Sequence, residues 1–117
     1  MKKVIICDDS RVSALAIQHF MTKNDVYIEG TAFGQKEFEK LIDTSEKPDF
    51  VSMDMVLPDG DGIQCCQKLW EKWSNLPVIF ITKDKISDDQ KSQLAHVKKY
   101  LLKPITNDTI LEAITSI

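Results

Sequence analysis

Apolar positions along this chain fall into two alternating rhythms. Short runs rich in β-branched residues read as strands: "KVIIC" at 3–7, "VYIEGTA" at 26–32, "DFVSMDM" at 49–55, "VIFIT" at 78–82 and "KKYLL" at 98–102. Between them the apolar residues recur at helical spacing. Val12, Leu15, Ala16, His19 and Phe20 mark a first helix. Phe38, Leu41 and Ile42 mark a second, and Ile63, Cys66, Leu69, Trp70 and Trp73 a third. "ISDDQKSQLAHV" at 86–97 is weakly helical, and "TNDTILEAITSI" at 106–117 reads as a capped helix that turns Ile110, Leu111, Ile114 and Ile117 to one face.

Five strands alternating with five helices predict an α/β domain, a doubly wound parallel sheet covered on both faces. In such a sheet the functional groups gather at the carboxyl ends of the strands, beside a switch in strand order. That edge would hold Asp8 and Asp9 after the first strand, Asp54 after the third, Thr82 after the fourth and Lys103, with Pro104, after the fifth.

At 117 residues, 43% of them hydrophobic, the chain fits one domain spanning 1–117, with no repeat or linker. A net charge of −3 and scattered lysines argue against a nucleic-acid surface. No segment approaches the apolar length of a membrane span, and the run after "MKK" is too short for a signal peptide. The three cysteines, Cys7, Cys65 and Cys66, show no metal or redox spacing and suit a reducing, cytoplasmic location.

The "DGDG" at 59–62 invites a calcium reading. With Gly62 at the sixth position of an EF-hand loop, the first ligand would be Leu57 and the twelfth Lys68, which rules it out. Asp59 and Asp61 are more simply turn residues. Asp8, Asp9 and Asp54 are different, because carboxylates brought this close repel unless a cation joins them. Oxygen ligands without His or Cys point to Mg²⁺. Asp54, from the central strand, could act as nucleophile toward a phosphoryl group, with Mg²⁺, Lys103 and the Thr82 hydroxyl sharing the charge that develops.

Taken together, "CDDS", "DMVLPDGDG", "FIT" and "YLLKP" closely resemble the receiver domain of two-component response regulators, of the chemotaxis single-domain type, over essentially the whole chain. The resemblance implies a flavodoxin-like (βα)5 fold of strand order 2-1-3-4-5. It implies Asp54 as phosphoacceptor, Asp9 as a direct Mg²⁺ ligand, Asp8 as a direct or water-mediated one, and a further ligand in the Val56 backbone carbonyl. Lys103 would bond a phosphoryl oxygen, and the peptide before Pro104 would be cis. A switch would couple Thr82, turning toward the phosphoryl group, to Tyr100, moving inward. The donor would be a sensor histidine kinase or histidine phosphotransfer protein. The downstream target would bind the face of the fourth helix, fifth strand and fifth helix, roughly residues 84 to 117. Such a domain is a phosphoacceptor switch that catalyses only its own modification, not an enzyme in the usual sense.

The chain departs from that pattern at several positions. Lys83 follows the switch Thr where a small residue is usual, Lys98 and Lys99 replace an acidic pair, and "AHVKKY" lacks the usual Gly-Ala before the last strand. Val56 and Asp84 stand where the family tunes loss of the phosphoryl group. His96 reads as a surface or helix-end residue. A haloacid-dehalogenase phosphatase would need Asp where Val56 stands, and a flavin or nucleotide module a Gly- or hydroxyl-rich loop where "DDSRVS" stands. A receiver-shaped interaction module that is never phosphorylated remains the alternative.

Overall fold

The computed structural model describes residues 1–117. Its main sheet is parallel: β1 (Lys3–Cys7), β2 (Tyr27–Ala32), β3 (Phe50–Met53), β6 (Val78–Thr82) and β7 (Val97–Leu102), in the order β2-β1-β3-β6-β7. A short antiparallel hairpin, β4 (Val56–Leu57) with β5 (Gly60–Asp61), intervenes in the chain and stands apart from the sheet. With the hairpin set aside, the order is the expected 2-1-3-4-5. The hairpin itself is not anticipated by the sequence reading, because two residues a side leave no periodicity to detect.

Alternation along each central strand divides the core into two layers. Ile5, Cys7, Val51, Met53, Val78 and Phe80 face one side, where α2 (Gln35–Thr44) and α3 (Gly62–Lys72) pack through Phe38, Ile42, Cys66 and Leu69. Val4, Ile6, Ile79 and Ile81 face the other, against α1 (Arg11–Lys23) and α5 (Asn107–Thr115), through Ile17, Met21, Ile110 and Ile114. Strands buried on both faces read as continuous apolar runs, which is why "VIFIT" is so clear in the sequence.

Two helical faces differ from expectation. On α1 the buried residues are Ala14, Ile17 and Met21, whereas Val12 is 80% and Leu15 64% exposed. This helix carries apolar residues around most of its circumference, so spacing alone selects the wrong stripe. On α5, Leu111 is exposed and Ala113 takes its place against the sheet. The weakly helical stretch 86–97 contains only a single-turn α4 (Asp88–Lys91), opened by a Ser87/Gln90 capping box. Val97, placed at the end of that helix by pattern, is the first residue of β7.

Helix starts follow cap chemistry. Ser10 accepts from Ser13 N at 3.2 Å at the head of α1, and Asp61 from Gln64 N at 2.8 Å at the head of α3. The N-cap of α2 is Gly34, which has no side chain to offer. Asp59, at the tip of the hairpin, serves instead: its carboxylate accepts from Gln35 N at 2.7 Å and Lys36 N at 3.0 Å. Both aspartates of the "DGDG" stretch are therefore caps as well as turn residues.

Candidate functional site

Backbone bonds draw the site together at the carboxyl edge of the sheet. The amide of Asp8 donates to the Ala32 carbonyl (3.0 Å), that of Asp54 to Cys7 (3.0 Å), and that of Lys103 to Thr82 (2.9 Å). These bonds continue the strand ladders one residue past their ends, so the side chains that follow β1, β3 and β7 share one edge. The peptide between Lys103 and Pro104 is cis, as the resemblance implies. Gly62 lets α3 begin directly against this edge. A Cβ there would lie 2.5 Å from the Asp54 carbonyl oxygen and 2.8 Å from the Phe80 ring.

The three expected carboxylates do converge: an oxygen from each of Asp8, Asp9 and Asp54 lies within 4.8 Å of the others. Asp8 is fully buried and Asp54 nearly so, while Asp9 is exposed. Lys103 spans the buried pair, with Nζ 2.8 Å from Asp8 Oδ2 and 3.0 Å from Asp54 Oδ2. Only the contact with Asp54 has hydrogen-bond geometry. Asp8 Oδ2 is thus held by charge alone and lacks a directional partner, whereas Asp8 Oδ1 accepts from Ser10 N at 2.9 Å.

Electrostatics at this edge are unbalanced. Burial pushes the Asp8 carboxyl above its ordinary range, and the ion contact with Lys103 and the bond from Ser10 N only partly oppose it. For Lys103 burial pulls the ammonium down, but the contacts with Asp8 and Asp54 together outweigh it, and its pKa ends above the ordinary value. Three carboxylates face one ammonium, leaving two formal negative charges, the complement of a divalent cation. Oxygen-only donors and the unpartnered Asp8 Oδ2 fit a hard ion such as Mg²⁺.

The carboxylates open onto a cleft of about 430 Å³ whose walls include Asp9, Asp54, Val56, Thr82, Lys83 and Lys103. Asp84 also lines it, so the formal charges of Lys83 and Asp84 cancel at the rim. Ser10 and Ser13 at the head of α1, which the sequence reading did not single out as site residues, also line the cleft. The Val56 side chain is 63% exposed at the mouth of the cleft.

Thr82 and Tyr100 are not in contact through a hydrogen bond. Thr82 is buried at the end of β6, and Tyr100 is half-buried on β7, stacked on Phe80 with ring centroids 5.9 Å apart. The Lys91 ammonium lies 4.8 Å from the centre of the Tyr100 ring, joining α4 to it by a cation–π contact. Elsewhere, Cys7, Cys65 and Cys66 are all buried free thiols. Contact with Cys65 and burial raise the Cys7 thiol, and burial raises that of Cys66, so neither is poised as a thiolate. His96 packs edge-on against Trp70 just before β7, at the end of that strand opposite Lys103.

This fold, with three carboxylates and a lysine on the carboxyl edge of its sheet, is that of a receiver domain. The model of the response regulator receiver domain matches residues 4–115, and the chain belongs to that family. It is 30% identical to chemotaxis protein CheY of Treponema pallidum, over 98% of this chain and 81% of that one. It is 24% identical to response regulator MprA of Mycolicibacterium vanbaalenii over 93% of this chain, but spans only 47% of that longer protein. Among solved structures, the CheX-CheY-BeF3-Mg+2 complex from Borrelia burgdorferi superposes with a TM-score of 0.87 at 26% identity, covering 98% of this chain and 87% of that one. Receiver domains of two-component response regulators are signalling switches worked by phosphorylation, not conventional enzymes.

Proposed function

We propose that this chain, as a single receiver domain over residues 1–117, takes a phosphoryl group from the phosphohistidine of a sensor kinase or phosphotransfer protein onto Asp54. The observation that carries the reading is the bridge from Lys103 Nζ to Asp54 Oδ2 (3.0 Å) and Asp8 Oδ2 (2.8 Å) beside Asp9. An Asp54 oxygen attacks phosphorus as the bond to the donor histidine nitrogen breaks, giving an acyl phosphate and neutral histidine once that nitrogen takes a proton. Lys103 and the Thr82 hydroxyl stabilise the phosphoryl oxygens in the cleft that both line. Asp8, Asp9, Asp54 and the Val56 carbonyl would hold Mg²⁺, which when bound neutralises charge on the transferring group.

Phosphorylation would turn the Thr82 hydroxyl toward the phosphoryl group and let Tyr100 move inward into the space it leaves, altering the face of α4, β7 and α5 that a downstream partner reads. The exposed Leu102 and Leu111 on that face support this part of the reading. Three buried free thiols fit a reducing compartment, hence a cytoplasmic setting, and no helix is long and apolar enough to cross a membrane.

The test is intact mass after incubation with acetyl phosphate or phosphoramidate, with and without Mg²⁺, beside Asp54→Asn. A single Mg²⁺-dependent phosphoryl adduct, absent in the variant, is expected. No adduct from either donor would overturn the reading in favour of an interaction module that works unphosphorylated.

A further inference from the structure

The hairpin formed by β4 and β5 carries Val56, yet it pairs only Val56 with Asp61 and Leu57 with Gly60. Two such rungs are too few to hold their shape in water unaided. On the core side, Leu57 is buried. On the outer side the hairpin is gripped by the first turn of α2. Asp59 accepts from Gln35 N and Lys36 N, and the Gln35 side chain reaches back so that its Oε1 accepts from Asp61 N at 3.2 Å. Gln35 Nε2 is itself anchored, donating to Glu39 Oε2 at 3.0 Å and Gln64 Oε1 at 3.1 Å.

The glycines in this region are explained by the same grip. A Cβ on Gly60 would collide with the Gln35 side chain, and one on Gly34 would lie 2.9 Å from Asp59 Oδ1. Neither glycine has a positive φ, so what sets them apart is close approach and not backbone conformation: a side chain at either would have to push aside the Gln35 or Asp59 group that makes the grip. The chain has given up the side-chain cap of α2 at Gly34 and supplied the cap from the loop that bears Val56. A cap could have been placed locally, as at Ser10, Ser87 and Thr106; this one ties α2 to the loop beside Asp54.

We infer that Asp59 and Gln35 are positioning residues for the cation site, fixing the hairpin so that the Val56 carbonyl is presented next to Asp9 and Asp54. This rests on the proposed role of that carbonyl as an Mg²⁺ ligand. Partners that orient a ligand without touching the ion commonly govern affinity by about ten-fold or more.

Mg²⁺ affinity is measured by titration calorimetry on the whole chain for the native protein, Asp9→Asn, Asp59→Ala, Asp59→Asn and Gln35→Ala. Phosphorylation rate by acetyl phosphate is followed against Mg²⁺ concentration in parallel. The expected result is an Mg²⁺ dissociation constant raised about ten-fold in Asp59→Ala and Gln35→Ala. It should recover substantially in Asp59→Asn, which keeps one acceptor, and the rate at saturating Mg²⁺ should be unchanged. Should Asp59→Ala fail to fold, Gln35→Ala decides, because it leaves both Asp59 bonds to α2 in place. Native affinity in the clamp variants, with weakened binding in Asp9→Asn, overturns the positioning role and leaves the metal site standing. Native affinity in Asp9→Asn overturns the metal site, and the positioning role with it.

Discussion

The ammonium of Lys103 and the carboxylate of Asp54, separated by 49 positions in the chain, meet at 3.0 Å on the carboxyl edge of the sheet. Lys103 touches Asp8 at the same time, so one cation neutralises part of a buried pair of like charges. Lys103→Met removes that cation and leaves both carboxylates facing each other. In EDTA the variant should lose on the order of 3 kcal/mol of stability, as when one partner of a buried ion pair is deleted. Mg²⁺ should restore more of its melting temperature than it adds to the native protein, which thermal melts with and without the ion will show.

Asp8→Asn should act in the opposite direction without metal. Burial already disfavours the Asp8 carboxylate, and the substitution removes a charge from a fully buried site next to Asp54. The variant should melt higher than the native chain in EDTA and gain less from Mg²⁺. A melting temperature below native in EDTA would show that the ion contact with Lys103 outweighs the repulsion.

A pH dependence follows from the grip of Asp59 on α2. Two amide bonds made only in the folded state hold the Asp59 carboxyl below its ordinary range. Folding therefore favours its ionised form, and the stabilisation is complete above the unfolded value of about 3.9. It is lost as the pH falls through the lowered folded value. The difference in melting temperature between native protein and Asp59→Ala should be steady near neutrality and narrow progressively in acid, below about pH 4. An unchanging gap down to the acid transition would mean that the carboxylate charge contributes nothing.

Gly62→Ala should damage both fold and site. The added methyl meets the Asp54 carbonyl oxygen and the Phe80 ring, and backbone on one side with a buried aromatic on the other leaves no flexible group to give way. A loss of about 1–3 kcal/mol is expected, with slower phosphorylation of Asp54 even where the variant is fully folded. Denaturant titration and single-turnover phosphorylation by acetyl phosphate separate the two effects.

What the sequence revealed and what it hid have different physical origins. Strands buried on both faces leave unbroken apolar runs, so "KVIIC" and "VIFIT" declared a covered parallel sheet. The edge rule for such sheets then brought Asp8, Asp9, Asp54, Thr82 and Lys103 together, and the structure has them on one rim. Periodicity failed where apolar residues serve two surroundings. Val12 and Leu15 look like core residues but face outward, while small Ala14 and Ala113 pack inside. The cap of α2 was invisible for another reason: Asp59 lies 24 positions from the amide of Gln35, and no local spacing reports a bond across that distance.

The single turn of α4 has a consequence for how the domain opens. Between Thr82 and Val97 the chain is fastened to the core mainly by Ile86 and Leu94, with few backbone bonds of its own. A segment so lightly fastened detaches at a small fraction of the free energy needed to unfold the sheet. Amide deuterium uptake should accordingly be rapid from Lys83 to Ala95 and slowest in β1, β3 and β6. The Lys91–Tyr100 contact is where this most easily released part of the molecule rests on the edge strand of the sheet.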